Sequence, residues 1–435
     1  MSTVEEKTQV GNYFIANYPP FSFWKPENVP EALDVVQSPP QAWVPLGLYL
    51  HIPFCRRRCK FCYYKVYIDK TGKEVDRYLD ALAHEVEMYA ASPVVGGRPL
   101  EFVYFGGGTP SFPSVKQLER LVRRMDAVFP WRDAREVTFE CEPGTLTEAK
   151  VRALRELGIT RISLGVENFS DEILAENGRA HLSAEIYRAW SWIQECDFPQ
   201  TNIDLIAGMV GETWENWRDC VQRAIELGPD SITIYQMELP YNTLYSQSVL
   251  REGKPVPVAD WKTKRAWVDY AFRTLEEAGY QINSAYTAVR DPERVQFLYR
   301  DALWHGADLI GTGVASFGFV QGVHMQNLHD WGPYLSAVEA GRYPLWRALR
   351  PTPRQLMIRE FILQLKLGRV SRGYFVDKYG TDPGVEFARE LDEYEKAGYV
   401  ELTDDEVRVT RSGLLRVDAL LPAFFEEEHR GARYT

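Results

Sequence analysis

Short apolar runs alternate with longer amphipathic stretches from Leu48 onward. The apolar runs predict strands over 47–52, 101–106, 136–141, 161–165, 202–208 and 231–236. The helical periodicity between them predicts helices over 75–91, 114–129, 147–158 and 213–228. Six strand-then-helix units favour a parallel sheet with right-handed crossovers, either open or closed into a barrel. The strands end in glycine, proline or acidic residues, at the edge where α/β folds place their chemistry.

The two ends of the chain depart from this pattern. The first 45 residues are rich in proline and aromatic residues, which predicts an arm that runs extended across another surface. The stretch 304–318 is rich in glycine, which indicates that the backbone there packs closely against its neighbours. The segment 355–368 predicts a buried amphipathic helix. The residues after this segment predict a helix, a β-hairpin and a second helix. We therefore expect three parts: an arm (1–45), a barrel with a C-terminal strand extension (46–345) and a winged-helix-like α+β domain (346–435).

Composition narrows the class of protein. Hydrophobic residues make up 45% and charged residues 26% of the chain, as in ordinary globular proteins. The formal net charge of −11 argues against nucleic-acid binding, which usually needs a basic face. We also expect no signal peptide and no membrane span, because the sequence has no apolar run of the required length. Six cysteines in 435 residues do not form a secreted disulfide framework, so we expect a cytoplasmic location.

Three of the six cysteines form a tight array. The segment HIPFCRRRCKFCYYKVY places Cys55, Cys59 and Cys62 in a C-x3-C-x2-C pattern. A structural zinc site needs a fourth Cys or His, and none follows within twenty residues. A [4Fe–4S] cluster held by three thiolates leaves one iron free to bind another molecule. The array therefore favours such a cluster, with a zinc site or a chance grouping as the alternatives.

Further motifs surround the array. The second predicted strand ends in FGGGTPSF, whose glycine triplet would let the backbone approach a ligand closely. Glu140 and Asp204 lie inside apolar strands, where an unpaired carboxylate is costly, so we expect functional roles for both. Arg56, Arg57 and Arg58 predict a solvated basic face that could dock an acidic electron donor. The remaining residues Cys141, Cys196 and Cys220 are expected to be buried and apolar in character.

Five motifs, taken in their order along the chain, resemble those of the radical S-adenosylmethionine (SAM) superfamily. They are YLHIPFC with its cysteines, FGGGTP, FECEPG, RISLGVENF and NIDLIAG. Within it the chain is similar to the oxygen-independent coproporphyrinogen III dehydrogenase-like (HemN/HemW-like) group over about residues 45–425. That group also contains a heme chaperone branch, heme-opening enzymes, and methylases and cyclopropane-forming enzymes that bind two SAM molecules. The resemblance implies an α/β fold, a partial (β/α)6 TIM-like barrel with a C-terminal winged-helix-like α+β module.

The resemblance also implies site residues. The residues implied to hold a [4Fe–4S] cluster are Cys55, Cys59 and Cys62. The residues implied to line a pocket for SAM are Tyr49, Phe61, Gly107, Gly108, Thr109, Glu140, Glu167, Arg179 and Asp204. Among these, Phe61 would lie beside the adenine, and the segment 107–109 would contact the methionine amino group. Glu140 is the acid of an E-x-x-P motif and would lie near the ribose or the amino group.

The implied chemistry is reductive. An electron from the cluster cleaves the S–C5′ bond of SAM and releases a 5′-deoxyadenosyl radical, which abstracts a substrate hydrogen. The implied function is oxidation and decarboxylation of a tetrapyrrole. A reductant such as flavodoxin or ferredoxin would supply the electron, and the protein is expected to be a monomer. The alternatives are a methyl or methylene transfer that uses a second SAM, with 234–243 and 311–318 as candidate walls, and a heme carrier without catalysis.

The chain departs from the group's pattern at two places beside the cluster and the cofactor. The tetrapyrrole dehydrogenases usually carry a further Cys two residues after the third ligand, where this chain has Tyr64. The group's GVQ is GVE here, so Glu167 adds a charge near the cofactor. Both departures leave the substrate open.

A third departure concerns the heme chaperone branch, which has an H-N-x-x-Y-W motif. The matching stretch QNLHDW keeps Asn327 and Trp331 but has Gln326 where the heme-holding His would be. His324 and His329 lie close by and are candidate replacements, although a lone His more often serves packing or the surface.

Overall fold

Parallel strands that are buried on both faces carry the cysteine segment. The computed structural model describes residues 7–11, 13–41 and 43–432. Its strands are β1 (Leu46–Ile52), β2 (Phe102–Gly107), β3 (Glu136–Cys141), β4 (Arg161–Glu167), β5 (Gln200–Ala207), β6 (Ser231–Gln236), β7 (Gln281–Ile282), β8 (Thr287–Val289), β9 (Asp308–Thr312), β10 (Phe317–Val320), β11 (Val323–Asn327), β12 (Leu345–Leu349), β13 (Arg369–Ser371), β14 (Val400–Leu402) and β15 (Glu406–Val409).

Helices connect these strands. They are α1 (Val29–Val36), α2 (Gly72–Ala90), α3 (Val115–Asp126), α4 (Glu148–Glu156), α5 (Asp171–Glu176), α6 (Ser183–Glu195), α7 (Trp214–Leu227), α8 (Leu244–Glu252), α9 (Trp261–Glu277), α10 (Leu298–Trp304), α11 (Trp331–Glu339), α12 (Pro353–Leu365), α13 (Arg372–Tyr379), α14 (Pro383–Glu386), α15 (Ala388–Lys396), α16 (Arg411–Leu414) and α17 (Val417–Leu420). In the part of the chain that the structure describes, no helix is both long enough and apolar enough to cross a membrane. The cytoplasmic location stays a prediction.

The helices begin where the sequence offers capping side chains. Thr71 and Glu74 form a reciprocal capping box at the start of α2, and Ser114 and Gln117 form another at the start of α3. Each box satisfies backbone N–H groups that the first helical turn leaves without partners. These caps fix where α2 and α3 begin, after the loops that leave the carboxyl ends of β1 and β2.

The chain groups into two compact units. One unit contains residues 24–204 and 296–350. Its sheet has the order β12-β11-β10-β9-β1-β2-β3-β4, followed by the first residues of β5. The pairs β1–β2, β2–β3, β3–β4 and β1–β9 are parallel, and β10, β11 and β12 extend the sheet with antiparallel pairs. The carboxyl ends of β1 to β4 therefore meet at one edge of this unit.

The other unit contains residues 1–23, 205–295 and 351–435. In it β8 lies between β6 and β7, and both pairs are antiparallel. Its C-terminal part carries a three-stranded sheet in the order β13-β15-β14 among α12 to α16. The two units combine segments of different predicted domains, and the division at 45 and 345 stays a prediction.

Two local expectations are wrong. The arm is not extended throughout, because α1 forms at VPEALDVV, where Ala32, Val35 and Val36 recur at helical spacing and are buried. The helix α12 is buried as predicted but is not amphipathic, since every residue from Met357 to Leu365 is buried. Its Glu360 lies beside Lys378, at 2.8 Å between carboxylate and ammonium, which offsets the cost of burying the charge.

Candidate functional site

The three clustered cysteines lie on a loop that leaves the end of β1. A parallel bridge joins Phe54 to Tyr67 and closes the base of the loop. Within this bridge the amide of Cys55 donates to the carbonyl of Tyr67 at 3.1 Å, and the amide of Tyr67 donates to the carbonyl of Pro53 at 2.7 Å. The bridge confines Cys55, Cys59 and Cys62 to one short wrap of chain at the carboxyl edge of the sheet.

Arg56 and Arg57 are exposed, as expected of a solvated face, but backbone contacts of Arg56, Arg58 and Lys60 also anchor the loop. Arg56 donates to the carbonyl of Ala180 at 2.7 Å, and Arg58 donates to the carbonyl of Cys62 at 3.3 Å. The amide of Lys60 donates to the carbonyl of Asn177 at 3.0 Å. The loop is thereby tied to the segment 176–181 that follows α5.

The cysteine sulfurs lie in surroundings that suit bound iron. Burial raises the pKa of the Cys55 thiol to about 11 and that of Cys62 to about 12, so neither ionises readily without a bound cation. Thr109 donates its hydroxyl to Sγ of Cys55 at 3.3 Å, and Arg179 directs Nη1 at Sγ of Cys59 at 3.5 Å. Such donors to sulfur are what an iron–sulfur site uses to stabilise its thiolates. These residues therefore fit a [4Fe–4S] cluster.

The glycine triplet at the end of β2 packs against the end of β1. Gly107 has φ +112, and a Cβ there would lie 2.6 Å from the ring of His51. A Cβ on Gly108 would lie 2.9 Å from the backbone of Pro53. Glycine is therefore required here by the close approach of two neighbouring strand ends. Contact between 107–109 and the methionine amino group stays a prediction.

Glu140 ends β3 with its carboxylate held by an aromatic neighbour. Tyr104 on β2 donates its hydroxyl to Glu140 Oε1 at 2.6 Å. Burial raises the pKa of Glu140 to about 7, with the nearby charge of Asp204 acting in the same direction. A carboxyl group with a pKa near 7 can change its protonation when a charged ligand enters.

Glu167 ends β4, Asp204 lies within β5, and Arg179 lies in the segment that follows α5. Burial raises the pKa of Glu167 to about 7, and Arg179 Nη2 lies 3.5 Å from its Oε1. Asp204 accepts from Ser163 at 2.8 Å and from Asn202 at 3.0 Å, and burial raises its pKa too. The strand order β2-β3-β4-β5 thus brings three carboxylates near one another, and the guanidinium that points at Cys59 lies beside one of them, Glu167.

Aromatic side chains line the neighbouring part of the edge. Tyr49 stacks on Tyr104 at 5.9 Å between ring centroids, and Tyr299 lies 4.2 Å from Tyr104. The hydroxyl of Tyr49 lies 3.2 Å from Nδ1 of His51. Burial lowers the pKa of His51 to about 4, so this histidine is neutral. Phe61 lies half-buried within the cysteine loop. The proposed places of Tyr49 and Phe61 beside the cofactor stay predictions.

The sequence did not point to a buried acid next to this site. Glu142 Oε1 lies 3.0 Å from Nδ1 of His181 and 3.2 Å from Nη2 of Arg56, and it accepts from the amide of Gly144 at 3.0 Å. Burial alone would raise the pKa of Glu142. Its neighbours outweigh this effect and lower the pKa to about 2; they are His181, Arg179 and Arg56. Two features of the sequence could have pointed to this contact: the acid before Pro143 and the histidine two residues after Arg179.

The stretch that matches the heme chaperone motif is part of the packed interior. Gln326 is buried, donates to the carbonyl of Ala315 at 3.2 Å and accepts from Arg347 at 2.6 Å. His324 is fully buried and stacks on Trp24 at 4.8 Å. His329 is partly exposed and packs on Trp346 at 4.4 Å.

The two residues kept from that motif serve the fold. Asn327 donates to Glu85 Oε1 at 2.6 Å, and Tyr334 donates to the other oxygen of Glu85 at 2.7 Å. Trp331 stacks on Tyr78 at 5.3 Å. Their retention therefore has a structural reason that is independent of heme. The remaining cysteines are buried at 141 and 220 as expected, whereas Cys196 is only half-buried.

Comparison with known proteins agrees with this geometry. Residues 49–224 match the model of the radical SAM superfamily. An oxygen-independent coproporphyrinogen III oxidase of Escherichia coli (strain K12) is 26% identical over 397 residues, which cover 87% of this chain and 85% of that protein. The heme chaperone HemW of Bacillus subtilis (strain 168) is 25% identical over 385 residues, which cover 87% of this chain and 99% of that protein.

A solved structure shows the same fold. Coproporphyrinogen III oxidase (HemN) from Escherichia coli, described as a radical SAM enzyme, superposes with a TM-score of 0.82 over 94% of this chain and 96% of that chain, at 24% identity. This likeness confirms the predicted fold class, an α/β partial barrel with a C-terminal α+β module. Over residues 49–224 the chain thus matches the radical SAM superfamily, and over most of its length it is similar to oxygen-independent coproporphyrinogen III oxidases and to HemW.

Proposed function

We propose that this protein is an enzyme that binds a [4Fe–4S] cluster on Cys55, Cys59 and Cys62 and acts on a tetrapyrrole. The bound cluster and SAM would supply reductive cleavage of SAM to methionine and 5′-deoxyadenosine. The proposed reaction is oxidation and decarboxylation of coproporphyrinogen III, the substrate in the name of the E. coli relative. A reductant such as flavodoxin or ferredoxin would supply the electron, and we expect a monomer.

The donors directed at the cysteine sulfurs carry this proposal. Thr109 and Arg179 each point a polar hydrogen at a sulfur, at 3.3 and 3.5 Å. A thiolate bound to iron is stabilised by such donors, whereas a neutral buried thiol gains little from them. The carboxylates of Glu140, Glu167 and Asp204 lie on the adjoining strands β3, β4 and β5, where they would pair with the amino group and the ribose hydroxyls of SAM.

The heme carrier is the second candidate, and the surroundings of residue 326 disfavour it. The side chain at this position is a glutamine whose amide is hydrogen-bonded to Ala315 and Arg347. His324 is buried in a stack with Trp24 and does not face solvent. Neither side chain is available to bind heme iron without unpacking its neighbours.

One experiment separates the candidates. The protein is reconstituted anaerobically with iron and sulfide, reduced, and incubated with SAM and coproporphyrinogen III. Formation of 5′-deoxyadenosine together with decarboxylated porphyrinogen supports the proposal. Stable one-to-one binding of heme without cleavage of SAM would contradict it in favour of a carrier. Cleavage of SAM with methylated product and S-adenosylhomocysteine would contradict the substrate part and favour the two-SAM alternative.

A further inference from the structure

A buried guanidinium lies between a cluster cysteine and an acid. The Arg179 side chain is 11% exposed, and its Nη1 lies 3.5 Å from Sγ of Cys59. Its Nη2 donates to the carbonyl of Gly165 at 2.7 Å and lies 3.5 Å from Glu167 Oε1. The carbonyl of Gly165 fixes the direction of the guanidinium, so Nη1 is held toward the sulfur.

A buried carboxylate is among the charges that surround this guanidinium. The Glu142 side chain is 11% exposed, and its negative charge is among those that stabilise the charged form of Arg179. Glu142 Oε1 is shared by His181, Arg56 and the amide of Gly144. Arg56 follows Cys55 directly, and His181 lies two residues after Arg179. Glu142 therefore joins the cysteine loop to the segment that carries Arg179.

Charges at such a place act on electron transfer. Reduction of an iron–sulfur cluster adds one negative charge, which a nearby cation stabilises and a nearby anion opposes. Both side chains are largely shielded from water, so solvent screens their effects less than those of surface charges. An N–H donor to a thiolate sulfur acts in the same direction as the cation.

Resting on the proposed function, we propose that Arg179 and Glu142 are positioning residues that set the reduction potential of the cluster with opposite signs, Arg179 through Cys59 and Glu142 through its buried charge beside the cysteine loop. Arg179 raises the potential by its charge and its N–H contact with Sγ. Glu142 lowers it by its buried negative charge and holds the loop and the Arg179 segment in register. The pair thereby tunes how readily the bound cluster accepts the electron that cleaves SAM.

The test is a redox titration of the reconstituted cluster followed by electron paramagnetic resonance, without substrate. In Arg179→Gln the ratio of reduced to oxidised cluster at a fixed potential should fall about tenfold, which corresponds to about 1.4 kcal/mol, because the variant loses the buried charge that favours the added electron. In Glu142→Gln, which keeps an oxygen acceptor for Gly144 and Arg56, the ratio should rise. Lys60→Gln is the matched control, because it removes a cation from the same loop. Lys60 is 38% exposed and paired with Glu176, so its ratio should stay close to that of the wild type.

The outcomes separate the two proposals. A wild-type protein that holds no four-iron cluster would overturn the proposed function itself. A normal iron and sulfide content with an unchanged midpoint in Arg179→Gln would overturn only this inference. Shifts of both variants in the same direction would also overturn it, because they indicate general loosening of the loop. If Arg179→Gln loses the cluster, Glu142→Gln decides: a more positive midpoint supports the charge pair, and an unchanged or more negative one refutes it.

Discussion

The variant Asn327→Ala tests the interpretation that the residues kept from the heme chaperone motif serve the fold. Asn327 is 1% exposed, and its amide donates to Glu85 Oε1 at 2.6 Å and to the carbonyl of Gly313 at 3.0 Å. Glu85 is fully buried and also accepts from the amide of Gly313 and from Tyr334. Burial raises the pKa of Glu85 to about 7 in spite of these three donors.

The expected loss of stability follows from these contacts. A hydrogen bond to a charged group contributes about 1.5–3 kcal/mol and one to a neutral group about 1 kcal/mol, so the variant should lose about 2–4 kcal/mol. The ionised form of Glu85 loses a donor, so its pKa rises further in the variant. An acid whose pKa is raised by folding favours the folded state at low pH, and that contribution is lost as the pH rises through about 7. The deficit of the variant should therefore be larger at about pH 8 than at about pH 5.5.

The assay is denaturant unfolding at both pH values. Asn242→Ala is the control, because this asparagine is exposed and its replacement should change stability by less than about 0.5 kcal/mol. The folded Asn327→Ala protein should retain its cluster and its cleavage of SAM. A deficit below about 0.5 kcal/mol, or an equal deficit at both pH values, would refute the structural role assigned to Asn327.

Two further predictions concern the site. Gly107→Ala places a Cβ 2.6 Å from the His51 ring at φ +112 and should lower the unfolding free energy by about 2–4 kcal/mol. Gly97→Ala, at φ +77 with no atom within 4 Å of its Cβ, reports backbone strain alone, and an equal loss in both would exclude the proposed clash. Since burial raises the pKa of Glu140 to about 7, the affinity for SAM measured by calorimetry should rise from about pH 6 to pH 8 as the carboxylate ionises. Glu140→Gln should bind more weakly and show a smaller rise, since Glu167, whose pKa burial also raises to about 7, still ionises over this range. An affinity and a profile equal to those of the wild type would remove Glu140 from the pocket.

The sheet was largely predictable from the sequence. The predicted strand 47–52 is Leu46–Ile52 in the structure, and the predicted strand 161–165 is Arg161–Glu167. These runs carry a strong local signal, because a parallel strand that is buried on both faces must be apolar along its whole length. The predicted helices 75–91 and 114–129 are Gly72–Ala90 and Val115–Asp126 in the structure, and their starts follow the capping residues Thr71 and Ser114, which periodicity alone does not report.

The contacts within the site were not predictable in the same way. Glu142 meets His181 across 39 residues of sequence, and Arg56 meets Glu142 across 86. Periodicity and spacing report neighbours along one element, whereas these pairs exist only because β1, β3 and β4 end at one edge. The helix α1 was missed for a different reason: proline near a helix start is compatible with the first turn, although proline-rich sequence favours extended chain.

The central claim is that Cys55, Cys59 and Cys62 hold a four-iron cluster that cleaves SAM. The most direct measurement is the yield of 5′-deoxyadenosine from the anaerobically reconstituted and reduced protein, together with its iron and sulfide content. We expect about four irons and four sulfides per chain and SAM-dependent formation of 5′-deoxyadenosine. Single replacement of any of the three cysteines by Ala should abolish both, whereas Cys196→Ala should change neither. Cleavage of SAM that survives in one of the three variants, or a wild-type protein that binds zinc in place of the cluster, would contradict the account.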